Sequence, residues 1–119
     1  MSSRDAAYAL VIRDHPPARE VLLEQRSSEE TVMSGMWELP ALREPTFQDE
    51  DLYMAVRHAI MQVNYNVRIR AVRESDVVDL TEISDRHRWV QLNDVSRLPL
   101  TGLARKVLLR AMADKLSPQ

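Results

Sequence analysis

Carboxylates are the first side chains to consider, because clustered acids can hold Mg²⁺ and position a water molecule for hydrolysis. Two acidic groups stand out in the chain, in residues 19–24 (REVLLE) and in Asp49–Asp51. The first group has the character of a strand, and the consecutive carboxylates of the second would point in different directions. A solvated loop or the start of a helix explains the second group. We therefore predict no metal ligand and no catalytic acid.

Histidine is the next candidate for chemistry, since its pKa lies near neutrality. His15 falls in a turn and His87 falls beside a predicted strand end, so both are interpreted as surface residues. His58 lies within an alternating, strand-like segment, where a hydrogen-bonded structural role is commoner than catalysis. No Ser-His-Asp arrangement follows from the spacing, and the sequence indicates no catalytic residue.

Arginine dominates the basic residues and suits bidentate contacts to phosphate. Residues 1–60 carry six basic and eleven acidic side chains, whereas residues 61–119 carry ten and seven, within a total charge of −2. Arg68 and Arg70 are two apart in a strand-like segment, so they project from one face. That face either contacts phosphates or is a solvated surface paired with nearby acids.

The composition bounds the function. The chain has 119 residues, 45% hydrophobic and 29% charged, which is typical of one globular domain. It has no cysteine, which excludes disulfides, zinc–cysteine sites, iron–sulfur clusters and thiol nucleophiles. Neither a signal peptide nor a membrane-spanning segment is apparent, so we expect a cytoplasmic protein with no membrane partner.

Hydrophobic patterning predicts an α+β domain. Residues 6–12, 21–25 and 88–92 favour strands, and residues 53–60 and 65–71 favour an antiparallel pair turning near residues 62–66. Residues 36–40 and 43–51 are interpreted as loops, or at most short helical turns. The tryptophans are interpreted as core or loop-anchoring residues, and the methionines first as packing residues and second as an adaptable contact surface. Thr101 is a predicted N-cap for a final helix. Its apolar face comprises Leu103, Val107, Leu108 and Ala111.

Several segments together resemble a known family. Residues 21–26 (VLLEQR) and 35–40 (GMWELP) resemble the opening of Nudix-superfamily domains. The remaining segments are similar to the C-terminal domain of the adenine DNA glycosylase MutY: residues 56–62 (VRHAIMQ), before an alternating strand, 88–90 (RWV), 98–101 (LPLT) and 103–108 (LARKVL). The resemblance covers most of the chain.

The resemblance implies a Nudix-like fold in which a mixed or antiparallel sheet packs against a C-terminal helix. It also implies a role in DNA repair, in which the domain helps to recognise 8-oxoguanine paired with adenine and docks double-stranded DNA. Catalysis and any iron–sulfur cluster would belong to an upstream glycosylase domain, with no cofactor in this chain. Residues 1–119 would then be a single C-terminal domain, monomeric and associated with the bacterial nucleoid.

The family's His-x-Phe-Ser/Thr-His segment maps onto His58, Ile60, Met61 and Gln62. Methionine offers only a weak sulfur acceptor where the family has a hydroxyl. Backbone contacts, intercalation by Ile60 or Met61, or amide contacts from Gln62 and Asn64 could replace it. The residues predicted to bind DNA or the lesion are His58, Ile60, Met61, Gln62, Asn64, Arg68 and Arg70.

Two other functions remain open. A Nudix hydrolase acting on nucleoside diphosphate derivatives would need a helix with Arg-Glu-x-x-Glu-Glu. Residues 19–24 imitate this pattern, but they precede the Trp-Pro segment and have the character of a strand. Such an enzyme would therefore need a non-standard metal site. A free-standing protein-interaction domain is the third interpretation.

Overall fold

The computed structural model describes residues 2–15, 18–27 and 34–116. Short 3-10 turns at Asp49–Asp51, Glu74–Asp76 and Leu92–Arg97 connect the main elements. The strands are β1 (Ser2–Leu10), β2 (Ile12–His15), β3 (Ala18–Gln25), β4 (Trp37–Glu38), β5 (Leu52–Ile60), β6 (Val63–Ala71) and β7 (His87–Gln91), and the helices are α1 (Val77–Leu80) and α2 (Gly102–Leu116).

The strands form two sheets. In the first, β6 lies between β1, to which it is parallel, and β5, to which it is antiparallel. In the second, β3 is central: Val21 pairs with Ile12 of β2 on one edge and with Val90 of β7 on the other. Strand β4 pairs with β3 on the same edge as β2 but farther along the strand, where Glu24 of β3 pairs with Glu38 of β4. The predicted α+β class, with parallel and antiparallel pairing, is confirmed.

A single residue joins the two sheets. Val11 lies between β1 and β2 and is fully buried. Its carbonyl accepts a hydrogen bond from the Leu22 amide at 3.1 Å, while the carbonyl of Leu10 accepts one from Val72 at 3.0 Å. The chain therefore passes from the first sheet to the second without a loop, and the hydrogen bonding of each sheet continues up to the junction.

The predicted β5–β6 pair is confirmed, and its turn falls at residues 61 and 62, at the start of the predicted region. Val67 and Ile69 are buried on one face of β6, as the alternation predicts. A bulge between Leu52 and Met54 shifts the register. Tyr53 packs against the core there, and its hydroxyl donates a 2.5 Å hydrogen bond to Asp114 of α2.

Helix α2 covers the main core. The hydroxyl of Thr101 accepts a 3.1 Å hydrogen bond from the Ala104 amide, which confirms the predicted N-cap. All four predicted apolar positions of the helix are buried against Leu23 of β3, Leu39 and Ile69 of β6. Among the described residues, no helix is both long and apolar enough to cross a membrane.

The sequence interpretations of Trp37 and His87 are wrong. Trp37 and Glu38 form a strand instead of a loop, because β3 and residues 99–101 supply hydrogen-bond partners that the local sequence does not reveal. The Trp37 amide donates to the Pro99 carbonyl at 2.9 Å, and its carbonyl accepts from the Thr101 amide at 3.0 Å. His87 is only 8% exposed and not a surface residue. Its Nδ1 atom accepts a 3.0 Å hydrogen bond from the Ser84 amide, and its Nε2 atom lies 4.0 Å from Glu24 Oε1.

Substitution of Thr101 by alanine should lower the free energy of unfolding by about 1 kcal/mol, because it removes the cap of α2. Thr101→Ser keeps the hydroxyl and serves as the matched control, with a smaller loss. Urea unfolding of the three proteins measures the difference. Equal midpoints for the alanine and serine variants would contradict the capping role.

Candidate nucleic-acid interface

The β5–β6 turn is strained. Met61 and Gln62 have φ angles of 49° and 68°, a conformation that disfavours residues with a side chain. Turns of this kind in hairpins usually contain Asn-Gly. Strained backbone often marks functional positions. The first sequence interpretation of Met61, as a packing residue, is wrong, since the residue is 77% exposed at the turn, and the second, as a contact surface, stays a prediction.

A cavity of about 320 Å³ lies beneath the turn, on the face of β6 that looks toward the core. This volume falls at the lower end of the range for small-ligand sites, about 300–1,000 Å³. The residues that line it come from β1, β4, β5, β6 and the start of α2, with two others. They are Ala6, Tyr8, Arg26, Glu38, His58, Met61, Val63, Tyr65, Val67, Thr101 and Leu103.

His58 lies at the wall of this cavity, against the start of α2. A Cβ atom placed on Gly102 would be 3.3 Å from His58 Cε1, so a larger residue at position 102 would crowd the ring. Partial burial, with a smaller contribution from the charge of Lys106, lowers the pKa of His58 below its ordinary value of 6.5. The imidazole is therefore neutral at pH 7 and can donate one hydrogen bond and accept another.

Glu38 is a buried acid that the sequence reasoning missed as a site residue. Its side chain is 6% exposed, and Oε1 accepts a 2.9 Å hydrogen bond from the Leu39 amide. Burial raises the pKa of Glu38 above its ordinary value of 4.5, although hydrogen bonds from Leu39 and Thr101 oppose the shift. The sequence offered one signal of this role, which is that the charged Glu38 stands within the apolar segment of residues 36–40. Burial and the nearby Glu38 raise the pKa of Tyr8 to about 12, so its phenol is neutral.

The opposite face of β6 carries Arg68 and Arg70, on one side of the sheet as the alternation predicts. Arg68 forms a 2.5 Å ion pair with Asp49 and donates a 3.1 Å hydrogen bond to the Phe47 carbonyl. Arg70 lies 3.4 Å from Asp51. Both guanidinium groups also lie over the Phe47 ring, at 4.4 and 5.7 Å from its centroid. These arginines therefore already have acidic partners.

The structure divides the predicted DNA-binding residues into two groups. Positions 58, 60, 61, 62 and 64 lie in or next to the hairpin turn, and the Ile60 side chain lies outside what the structure describes. Arg68 and Arg70 stand roughly 20 and 26 Å farther along β6, at about 3.3 Å per residue. Within the described ranges, Arg57 of β5 and Lys106 of α2 form no ion pair, and these two cations were not predicted as site residues.

The acids do not gather around the cavity. Across residues 2–15, 18–27 and 34–116, no group of three His, Asp or Glu side chains could hold a metal ion. Glu20 pairs with Arg13 at 2.8 Å, in a segment that is strand as predicted. Asp49 and Asp51 bind arginines on the face away from the cavity.

Comparisons with known proteins identify the fold. No family model and no curated protein matches the sequence. A MutT protein from Methanosarcina mazei matches with a TM-score of 0.68 at 18% identity, covering 98% of this chain and 97% of that one. The Nudix domain of Shewanella oneidensis NrtR, solved with ADP-ribose, matches with a TM-score of 0.68 at 17% identity, covering 98% and 90%.

The C-terminal domain of mouse MUTYH, solved in complex with human PCNA, also matches, with a TM-score of 0.59 at 18% identity. The match covers 97% of this chain and 92% of that one. The chain therefore has the Nudix fold, and the predicted fold class is confirmed. At these identities, the likeness establishes the fold alone.

Replacing Gln62 with glycine should raise the free energy of unfolding by about 1 kcal/mol, because glycine adopts a positive φ without steric cost. Gln48→Gly is the control, since Gln48 is exposed with a φ of −69°. There glycine should only destabilise the fold, through the entropy of the unfolded chain. Thermal unfolding compares the two, and a loss of stability in both would contradict the strain.

The free energy of unfolding of the Glu38→Gln variant, measured relative to that of the original protein, should increase as the pH rises. An acid whose folded pKa is raised releases its proton first in the unfolded state, so folding becomes less favourable above pH 4.5, the ordinary value. The loss continues up to the folded pKa and then levels off. Urea unfolding from pH 4 to pH 8 measures the difference between the two proteins, and a difference independent of pH would contradict the raised pKa.

Proposed function

We propose that this chain is the DNA-docking and lesion-recognition domain of a MutY-type adenine glycosylase, with no catalysis of its own. The observation that carries the proposal is the strained β5–β6 turn, which presents Met61 to solvent. The target is double-stranded DNA containing 8-oxoguanine opposite adenine. We place residues 1–119 as one monomeric domain downstream of a glycosylase catalytic domain, in the cytoplasm and associated with the nucleoid.

The turn has the chemistry of a DNA wedge. Proteins that act on duplex DNA often insert apolar side chains such as methionine between base steps. Met61 is exposed despite being apolar, and its turn is held by nine-residue strands on either side. Gln62 and Asn64 place amides beside it, and amides can bond to base edges. In this proposal, the amides and the turn backbone replace the hydroxyl of the family's motif in contacting the lesion.

Charge near the turn supports the same function. Lys106 is close enough to His58 to lower its pKa, and it forms no ion pair among the described residues. Arg57 is exposed on the outer side of β5 and is likewise without an ion pair in that part of the chain. Cations that flank an apolar wedge can contact the phosphates on either side of the inserted step. The neutral His58 adds a hydrogen-bonding group without adding charge.

The proposal is tested by binding titrations with two duplexes that differ only in 8-oxoguanine or guanine opposite adenine. The chain is assayed alone and tethered to an adenine glycosylase catalytic domain. We expect the duplex with 8-oxoguanine to bind more tightly. Met61→Ala should reduce that preference by roughly tenfold, which is about 1.4 kcal/mol, while Met61→Leu should retain most of it.

Val78→Ala is the matched control, because Val78 is also an exposed apolar residue but lies on α1. It should leave the preference unchanged. Equal affinity of the tethered protein for both duplexes would contradict the role in lesion recognition. Loss of the preference in the Val78 variant as well would show that the effect of Met61 is not specific to the turn.

A second candidate function is hydrolysis of nucleoside diphosphate derivatives, which is favoured by the cavity beneath the turn. Glu38, Tyr8 and Tyr65 would offer a flat base one hydrogen-bonding carboxyl group and aromatic surfaces. A screen of such compounds with Mg²⁺ or Mn²⁺ tests this function. Release of phosphate or nucleotide that Glu38→Gln diminishes would support it, and absence of any product would eliminate it.

A further inference from the structure

The outer face of the β5–β6 hairpin carries a continuous polar stripe. Register places Arg57 opposite Asn66, and Arg68 and Arg70 continue along β6. We call these residues, together with Asn64 next to the turn, the outer stripe. Arginine and asparagine at alternate strand positions suit a polyanion that lies along the sheet, because arginine binds phosphate oxygens and the amide can donate to them.

The two ends of the outer stripe differ. Near the turn, Arg57 is exposed and without an ion pair among the described residues. Far from the turn, residues 47–51 cross the stripe and cover Arg68 and Arg70. Asp49 forms an ion pair with Arg68 and Asp51 forms one with Arg70, and the Phe47 ring packs against both guanidinium groups. Residues 47–51 thus neutralise half of the stripe.

These contacts resemble those of a phosphate backbone. A carboxylate on a guanidinium occupies the position that a phosphate oxygen would take. Asp49 is 95% exposed, so it gains nothing from burial, and ion pairs at such exposure contribute little to stability. Another anion can therefore replace the Asp49 carboxylate on Arg68 without disturbing the core. Glu50, between the two aspartates, adds a further negative charge to the same turn.

We infer that residues 47–51 are an internal competitor of DNA phosphates for Arg68 and Arg70. DNA must displace Asp49 and Asp51 before it can occupy the far end of the outer stripe. Binding is therefore strongest at the turn, where Arg57 is open, and the acidic segment limits non-specific binding along the sheet. This inference rests on the proposed function, since it assumes that the chain binds duplex DNA.

The test is the salt dependence of binding to an undamaged duplex of mixed sequence. Asp49→Asn with Asp51→Asn should tighten binding roughly tenfold. It should also steepen the plot of log K against log[salt] by up to about two, since each freed arginine can neutralise one phosphate. Asp79→Asn with Asp85→Asn is the control, because it changes the net charge equally at two exposed acids outside the stripe. This control should produce only a small gain.

A second pair of substitutions, Arg68→Gln with Arg70→Gln, completes a double-mutant cycle with the two aspartate substitutions. It should abolish the gain in the variant that lacks Asp49 and Asp51, and should change binding of the original protein little. Asp49→Asn alone, at the more exposed acid, should show about half of the effect. Circular dichroism and thermal unfolding verify that each variant is folded.

Two results would overturn the inference. One is an equal gain for the variant lacking Asp49 and Asp51 and for the Asp79/Asp85 control, which would reflect net charge alone. The other is an equal loss on substituting Arg68 and Arg70 with or without the acids. Failure of the proposed lesion recognition is seen separately, as equal binding of duplexes with 8-oxoguanine and guanine, and does not change these salt slopes. Absence of duplex binding by every protein would overturn both.

Discussion

The register of β6 is the constraint on which the rest of the domain depends. Its pairing with β1 and β5 buries Val67 and Ile69 against α2 and turns Arg68 and Arg70 outward. A shift of one residue would exchange the two faces, placing arginines in the core and aliphatic side chains in water. The burial of the aliphatic residues therefore sets the position of every charged group on the hairpin.

The two faces of the hairpin consequently have different electrostatics. On the inner face, burial favours the neutral forms of Glu38, Tyr8 and His58, and Glu38 accepts hydrogen bonds from Leu39 and Thr101. On the outer face, the arginines meet aspartates in ion pairs that are open to solvent. The inner face thus presents mainly neutral polar groups, with Arg26 beside them, and the outer face presents charged ones.

The turn itself is a place where local preference and the fold disagree. Glycine or asparagine would suit the backbone of residues 61 and 62 better than methionine and glutamine do. The nine-residue strands on both sides hold the turn in that conformation despite the cost. Conflicts of this kind tend to occur where a side chain is needed for something other than folding. Met61 combines both features, a positive φ and an apolar side chain exposed to solvent.

The sequence by itself determined the elements whose signals are local. Alternation of aliphatic and polar residues predicted the hairpin, and Thr101 before an amphipathic segment predicted the start of α2. Tertiary structure alone decided the short strand at Trp37, the burial of Glu38 and His87, and the ion pairs of Arg68 and Arg70. Each of those depends on partners distant in the chain: Pro99 for Trp37, Thr101 for Glu38, Glu24 of β3 for His87, and residues 49–51 for the arginines. Periodicity reports which side of a strand is apolar, but which distant groups meet on that side is set only when the sheets and α2 pack together.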